Sequence, residues 1–375
     1  MQTTYKKISD EKNLKGKKII LRVDFNVPIV AEEVRDDFRI QRTLPTVKML
    51  SEAGAKVIMI AHLESEVTNS LARVATYISK SIPLKAFVTD FAQAPAVVNE
   101  MMNGEIIMLE NLRVHEGEKG NDQKFAEQIA RLGDIYVNDA FSVSHRSHAS
   151  IVSVPKFLPS YAGPLLAQEV EELSKAFDPE RPFLFVLGGA KFDTKLPLVE
   201  KFLIIADYVF VGGALSNDVF KEKGYEVGRS LIAKQRINMR HIERNPKLMV
   251  PEDVVVANSA VREVRSPDNV GIDESILDAG PQTVSMLSDL LTDVAFVLWN
   301  GPLGDYEHGY AEGTENLAKA ITQSKAKSVI GGGDTIAVVA KAGLLDKFSF
   351  ISTGGGAMLE FLAKGTLPGI EALEG

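Results

Sequence analysis

The chain has 375 residues, 45% of them hydrophobic and 25% charged, a net charge of −8 and no cysteine. That length predicts two domains, the acidic balance argues against nucleic acid as a partner, and the lack of cysteine excludes disulfides, thiolate metal sites and a cysteine nucleophile. The polar N-terminus has no signal-peptide core and no run approaches the ~18 apolar residues of a membrane span, so a cytoplasmic protein without membrane attachment is expected.

In chain order, the first half offers strands in "KKIILRVDFNV", "AKVIMIAH", "KAFVTD", "EIIMLEN" and "DIYVNDAF". Helical patterns lie between them. "DDFRIQRTLPTVKMLSEAG" starts on acidic residues and ends at Gly54, and "NDQKFAEQIARLG" ends at Gly133, the polarity of capped helices. "SYAGPLLAQEVEELSKAFDPERP" reads as one amphipathic helix connecting two domains. Beyond it come "PFLFVLGGA", "DYVFVGGA", "LMVPEDVVVAN", "AFVLWNGP", "KSVIGGGD" and "FSFISTGGG" as strands, each followed by a helical pattern. Continuous apolar strands alternating with helices predict an α/β fold with parallel sheets covered on both faces.

In the second half, strands repeatedly end in glycine: Gly188-Gly189, Gly212-Gly213, Gly301, Gly331 to Gly333 and Gly354 to Gly356. Ligands of open α/β sheets bind at the carboxyl edge, and a bare backbone leading into a helix N-terminus favours a phosphate. A nucleotide or phosphate site is expected there. It is neither a P-loop nor a dinucleotide fingerprint, because G-x-x-x-x-G-K-[ST] and G-x-G-x-x-G are both absent, and the protein-kinase motifs are absent as well. Lys191 and Lys195 stand four apart after a glycine turn, which places both ammonium groups on one face of a starting helix and suits a transferring phosphoryl group. Asp334 opens the helix after the first triplet. It either caps that helix or, beside phosphates, holds Mg²⁺, and chemistry alone does not choose.

The first half places Arg22, Arg39, Arg113 and Arg146 near strand ends, with His62, His115, His145 and His148. Arginine forks suit carboxylate and phosphate oxygens. Asp24 and Asn26 alternate on a strand end, fit either to bind a hydroxyl or to form an Asx turn. His145-x-x-His148 lacks a third ligand at a useful spacing and is not read as a zinc site. The first half therefore reads as the site of a small anionic substrate.

"LRVDFNVP", "DDFRI", "LENLRVHEGE", "GDIYVNDAFSVSHRSHAS", "LGGAKFDTK", "VLWNGPLG", "GGGDT" and "STGGGAMLEFL", in this order, resemble the phosphoglycerate kinase family along essentially the whole chain. The resemblance implies two Rossmann-like three-layer domains joined by a hinge helix around a central cleft. Residues 1–160 would bind 3-phosphoglycerate or 1,3-bisphosphoglycerate, 161–178 form the connecting helix, 179–362 bind Mg-ADP or Mg-ATP, and 363–375 return to the first domain. Carried over motif by motif, the triose site is Asp24, Phe25, Asn26, Arg39, His62, Arg113 and Arg146. The nucleotide site is Lys195, Gly213, Asn300, Glu307, Gly332, Gly333, Asp334 and Thr335, with Glu307 at the ribose and Asp334 on the magnesium. Arg39, Lys191, Gly333 and Gly356 would attend the transferring phosphoryl group. The implied activity is reversible phosphoryl transfer between 1,3-bisphosphoglycerate and ADP in glycolysis and gluconeogenesis. It would run by direct in-line transfer on domain closure, in a cytoplasmic monomer with no organic prosthetic group. The rival expectation is a nucleotide-binding protein of the same fold with weak or no turnover.

The chain departs from the family's pattern in three places. Where the family has H-L-G-R-P, this chain has "HLESEVTNS", with Ser65 at the arginine position and Glu64 and Glu66 around it. The loop "PIVAEEVRDDF" is compact, and Ile276 in "SILDAGP" replaces a glycine near the adenine pocket. These departures bear on triose binding and adenine packing and leave the reaction class alone. The missing arginine is expected to weaken triose binding without abolishing it, and the rival expectation is that Arg73 replaces the lost fork.

Overall fold

The computed structural model describes residues 5–190, 192–234, 239–258 and 262–374. They form two units, one reaching to Glu171 and resuming at Lys364, the other running from Glu172 to Ala363.

In the first unit the elements are β1 (Lys18–Arg22), a hairpin of β2 (Ile29–Val30) and β3 (Glu33–Val34), α1 (Phe38–Glu52), β4 (Lys56–Ile60), α2 (Ala72–Ile78), β5 (Leu84–Val88), α3 (Ala94–Asn99), β6 (Ile106–Leu109), α4 (Glu116–Lys119), α5 (Gln123–Ala130), β7 (Ile135–Asn138) and β8 (Ser160–Ala162). A parallel sheet of order β5-β6-β4-β1-β7-β8 forms its centre. Ile19 and Leu21 of β1 share a core with Ile40, Leu44, Val47 and Leu50 of α1 and Val74 and Ile78 of α2. Ile20, on the opposite face, is equally buried, so the strand reads as an unbroken apolar run because both its faces are covered. Arg22 is in register with Ile60 of β4 and Asn138 of β7. The residues that follow β1 and β4 therefore leave the sheet at one carboxyl edge.

α6 (Pro164–Ser174) follows β8 and contains the boundary between the units. The stretch read as one connecting helix thus begins as an edge strand, and the helix starts only at Pro164, where proline is tolerated in a first turn. At the other end of the chain, Gly369 in α14 (Pro368–Glu371) donates its N–H to Ser144 O at 2.8 Å, within the first unit.

The second unit contains β9 (Phe183–Leu187), α7 (Phe192–Ile205), β10 (Tyr208–Val211), α8 (Ala214–Glu222), α9 (Arg240–Glu243), β11 (Leu248–Met249), β12 (Val254–Ala257), β13 (Arg262–Arg265), β14 (Ser275–Ala279), α10 (Pro281–Leu290), β15 (Phe296–Asn300), α11 (Glu312–Gln323), β16 (Lys327–Gly331), α12 (Gly333–Lys341), β17 (Phe350–Ile351) and α13 (Gly356–Lys364). Its main sheet is parallel, in the order β11-β10-β9-β15-β16-β17. Leu184, Val186, Val297 and Trp299 face a core shared with α10, α11 and α12. On the other face Phe185 stacks on Phe202 of α7 with ring centroids 4.1 Å apart. The two-sheet α/β architecture expected from the sequence is therefore present.

One predicted strand is corrected. "LMVPEDVVVAN" is two strands in two sheets: β11 edges the main sheet, while β12 is the centre of a small antiparallel sheet of order β13-β12-β14. Pro251 lacks the N–H that a continuous ladder requires. Asp253 then turns away from the main sheet to cap α10. Its carboxylate accepts from the N–H groups of Gln282 at 3.0 Å and Thr283 at 2.7 Å, and from the Thr283 hydroxyl at 2.8 Å. Asp253 is buried, so Asp253→Ala is expected to remove about 2–3 kcal/mol from this unit by leaving those donors unpaired. Urea denaturation checks this, and a loss below about 0.5 kcal/mol would contradict it.

Candidate functional site

At the carboxyl edge of the first sheet, the turn after β1 presents Asp24, Phe25 and Asn26, the turn after β4 presents His62 to Glu64, and the turn after β6 presents Asn111 to Arg113. Asp24 is buried and accepts from the Ser142 hydroxyl and from the Asn26 N–H at 3.0 Å. Arg39, in the first turn of α1, lies with Nη1 3.3 Å from Asp24 Oδ2 and donates to Asn26 O at 3.0 Å. Asn26 Oδ1 accepts from the Glu64 N–H at 2.8 Å. The Glu64 carboxylate is paired with Arg113 Nη1, and the same oxygen lies 3.6 Å from Arg146 Nη1. Asp24, Asn26, Arg39, Arg113 and Arg146 thus fall into one connected network. Phe25 belongs to the hydrophobic core, so only its backbone is left for a ligand.

Beneath this network lies a layer that sequence reasoning did not resolve. Arg22 had been one cation among four. It is buried and spent on the protein, with Nε donating to the Ser150 hydroxyl at 2.9 Å, Nη1 to Val23 O and Nη2 to His62 Nδ1 at 3.0 Å. Buried Glu118 accepts from the Ser150 N–H and hydroxyl at 2.9 and 2.6 Å, completing a Glu118–Ser150–Arg22–His62 chain. A charged residue ending the apolar run "KIILR" was the one sequence signal for it. Asn111 performs a similar service for the loop after β4. Its Oδ1 accepts from Leu63 N–H and Arg113 N–H at 3.1 and 3.0 Å, and its Nδ2 donates to Leu63 O and Asn69 O at 2.9 and 2.7 Å. Arg73 does not join the cluster: it pairs with Glu32 at 2.6 Å. The Ser65 hydroxyl accepts from the Val67 N–H at 3.1 Å.

A guanidinium only donates, so Nδ1 of His62 must accept and the proton of the neutral ring sits on Nε2. Burial first, and then the positive charge of Arg22, Arg113 and Arg146, hold the His62 pKa well below its ordinary value. Glu64 is held low chiefly by its hydrogen bond from Arg113, so it is ionised at neutral pH. The His62 shift carries a sign. Below pH 6.5 the unfolded chain protonates this histidine and the folded chain does not, so its contribution to stability is present above that pH and is lost as pH falls. Between pH 6.5 and 5.5 the loss is about 1 kcal/mol. His62→Gln should remove that increment from the urea-derived stability difference, and an unchanged pH dependence would show that His62 titrates normally in the fold.

The second unit has its own site at its sheet's carboxyl edge. A hollow of about 440 Å³ is walled by Gly213, Ile276, Glu307 and Asp334, among others. Four expected nucleotide residues are engaged elsewhere or stand at its margin. Lys195 Nζ donates to Gly188 O at 2.9 Å, the Thr335 hydroxyl accepts from the Gly301 N–H at 3.0 Å, and Asn300 Nδ2 donates to Met358 Sδ at 3.4 Å. Gly332 caps α12 with φ +97°, a conformation that favours glycine. Lys191 lies outside the described residues. Tyr306 donates its hydroxyl to Asp334 Oδ1 at 3.4 Å, and Asp334, which lines the hollow, is the second residue of α12, whose N-cap position is held by Gly332.

The glycines divide into two kinds. A Cβ on Gly188 would lie 2.2 Å from Pro302 O, and one on Gly301 would lie 2.3 Å from Gly188 O. These glycines let two strand ends touch, a packing role the sequence reading had assigned to phosphate. Gly333 and Gly356, at the first positions of α12 and α13, have nothing within 4 Å of a Cβ. Their open helix N-termini suit an anion.

Among the described residues no group of three or more His, Cys, Asp or Glu side chains is placed to hold a metal, and no helix is long and apolar enough to cross a membrane. The family model for phosphoglycerate kinase matches residues 8–365. The chain is 40% identical over 381 residues to the phosphoglycerate kinase of Desulfosudis oleivorans, covering 96% of each. It is 40% identical over 385 residues to that of Leptospira biflexa, covering 97% of each. Among solved structures, the phosphoglycerate kinase from Coxiella burnetii superposes with TM-score 0.85 at 36% identity, and the one from Pyrococcus horikoshii with TM-score 0.87 at 31%, each comparison covering 98% of both chains. The family model, the sequence identities and the superpositions agree across nearly the whole length, and on that basis this chain belongs to the phosphoglycerate kinase family.

Proposed function

We propose that the chain is a glycolytic kinase that transfers a phosphoryl group reversibly between 1,3-bisphosphoglycerate and ADP, giving 3-phosphoglycerate and ATP. The observation that supports this most is that Asp24, Arg39, Arg113 and Arg146, distant in sequence, are joined by ion pairs and the Asn26 hydrogen bonds between them in a chain that follows the family from residue 8 to 365. The first unit takes the triose and the second takes the nucleotide.

The chemistry requires little of the protein beyond position and charge. The carboxylate oxygen of 3-phosphoglycerate attacks the γ-phosphorus in line while the ADP oxygen leaves, and the same path run backwards makes ATP. Arg39 and Lys191 balance the charge on the transferring group, and the N–H groups at Gly333 and Gly356 receive its oxygens. Arg113 and Arg146 grip the phosphate that does not react. Asp334 is exposed and lines the hollow, which suits Mg²⁺, a cation satisfied by one carboxylate plus phosphate oxygens. Bound with the nucleotide, Mg²⁺ would neutralise phosphate charge. Glu307 faces the ribose. Because triose and nucleotide occupy different units, transfer needs them brought together by a hinge motion that also excludes water. The same reading makes the chain a cytoplasmic monomer free of membrane. A coupled assay of ATP formation from ADP and 1,3-bisphosphoglycerate tests it. Nucleotide binding without turnover would leave the rival, a binding protein of the same fold.

A further inference from the structure

Glu64 supplies the arginine cluster with an anion of the chain's own. One carboxylate oxygen serves Arg113 and Arg146, and the other lies 3.8 Å from Lys119 Nζ. Three cations surround one carboxylate. The loop is built to present it: the Glu64 N–H is fixed on Asn26 and the neighbouring Leu63 is pinned on both sides by Asn111. The carboxylate side chain is 55% exposed and that of Arg113 is 5% exposed, so Glu64 closes the mouth of the cluster and does not fill its interior. Inside, Arg113 Nε and Nη2 and His62 Nε2 are buried and have no partner among the described residues. A carboxylate lying on Nη1 leaves those inner donors unused. A phosphate dianion carries more charge and a third acceptor oxygen.

We infer that Glu64 is an internal competitor for the triose's non-reacting phosphate, a residue that sets the affinity threshold and must leave the arginine cluster before the substrate anion enters. This rests on reading the cluster as the triose anion site. A carboxylate anion that displaces Glu64 exchanges like for like and gains almost nothing. A phosphate dianion gains charge and the inner donors. Displacing Glu64 costs every anion the same free energy, so only an anion whose own gain exceeds that cost binds.

The test uses the full chain with Glu64→Gln, which keeps size and removes charge. Calorimetric Kd is read for 3-phosphoglycerate, inorganic phosphate and acetate, with the KM for ATP as the internal reference. The Kd for 3-phosphoglycerate and for phosphate should fall roughly three- to thirtyfold, the range from exposed ion pairs to charge-assisted ones. Acetate binding should tighten by no more than the same factor, because the cost of displacing Glu64 is common to every anion, and Glu64→Asp should lie between. An unchanged or raised Kd for 3-phosphoglycerate in Glu64→Gln overturns the inference. Arg146→Met separates the two layers of the argument. If it leaves the Kd for 3-phosphoglycerate unchanged, the triose reading of the cluster has failed. If it weakens binding and Glu64→Gln does not tighten it, only the competitor role has failed.

Discussion

An Arg39→Ala enzyme is expected to lose 10²–10³ in kcat, with a much smaller rise in the KM for 3-phosphoglycerate, by analogy with the loss of a single oxyanion donor. The expectation comes from how the guanidinium is held. Nη1 is fixed by Asn26 O and lies beside Asp24 Oδ2, and Asp24 is itself locked by the Ser142 hydroxyl and the Asn26 N–H. The side chain keeps 31% of its surface. An arginine so placed needs no reorganisation when charge moves onto the transferring oxygens, and that preorganisation is what stabilises a transition state more than a ground state. Arg39→Lys should fare little better, because an ammonium has no fork to span both anchors and a phosphoryl oxygen. The fold should tolerate either change, since Asp24 retains two other donors. A near-normal kcat in Arg39→Ala would remove this residue from the mechanism. An unfolded variant would instead show that Arg39 is structural.

The fold was legible in the sequence wherever a strand is buried on both faces, because such strands read as continuous apolar runs punctuated by glycine. It was not legible at residues 248–258, where a second apolar run follows Pro251 and its fate is set by Asp253 capping a helix some thirty residues downstream. Charged residues at strand ends were legible as site candidates for a similar reason: parallel register delivers them to one edge. What the sequence did not reveal is whether a charge is spent. Arg22 and Arg113 look alike as letters. Arg22 is consumed by Ser150, Val23 and His62, whereas Arg113 keeps two idle nitrogens. Glycines pose the same problem. Gly301 and Gly333 both end or follow a strand, yet one lies against backbone and the other against open space, and that difference depends on neighbours more than a hundred residues away for the former. Glu64 was legible only as a charge beside the position of the missing arginine. That it sits as a bound anion in the cluster follows from Asn26, 38 positions from Glu64, and from Asn111, 48 positions from the neighbouring Leu63.

Arg113→Met is expected to move binding and stability in opposite directions. Arg113 is a costly residue for the fold to bury. Its side chain is only 5% exposed, and among the described residues its Nε and Nη2 have no partner and its one ion pair is to the largely exposed Glu64. An unpaired buried polar group costs about 1–3 kcal/mol, more when charged. The positive neighbours Arg22 and Arg146 add to that cost, as their joint effect on His62 reveals. Methionine replaces the aliphatic stem and removes the unsatisfied donors, and such exchanges of buried charge for well-packed apolar groups are often neutral or stabilising. Stability by urea denaturation should therefore hold or rise. The triose phosphate loses the inner half of its grip, charge-assisted bonds worth roughly 1.5–3 kcal/mol each, so the KM for 3-phosphoglycerate should rise at least about tenfold while the KM for ATP stays near its original value. Arg113→Lys should recover charge but not the two inner donors and should fall between. A variant that unfolds more easily yet binds 3-phosphoglycerate normally would make Arg113 a structural residue. A variant that is stabilised and fails to bind would identify it as a group held in an unfavourable state for the sake of the ligand, the expected signature of a preorganised site.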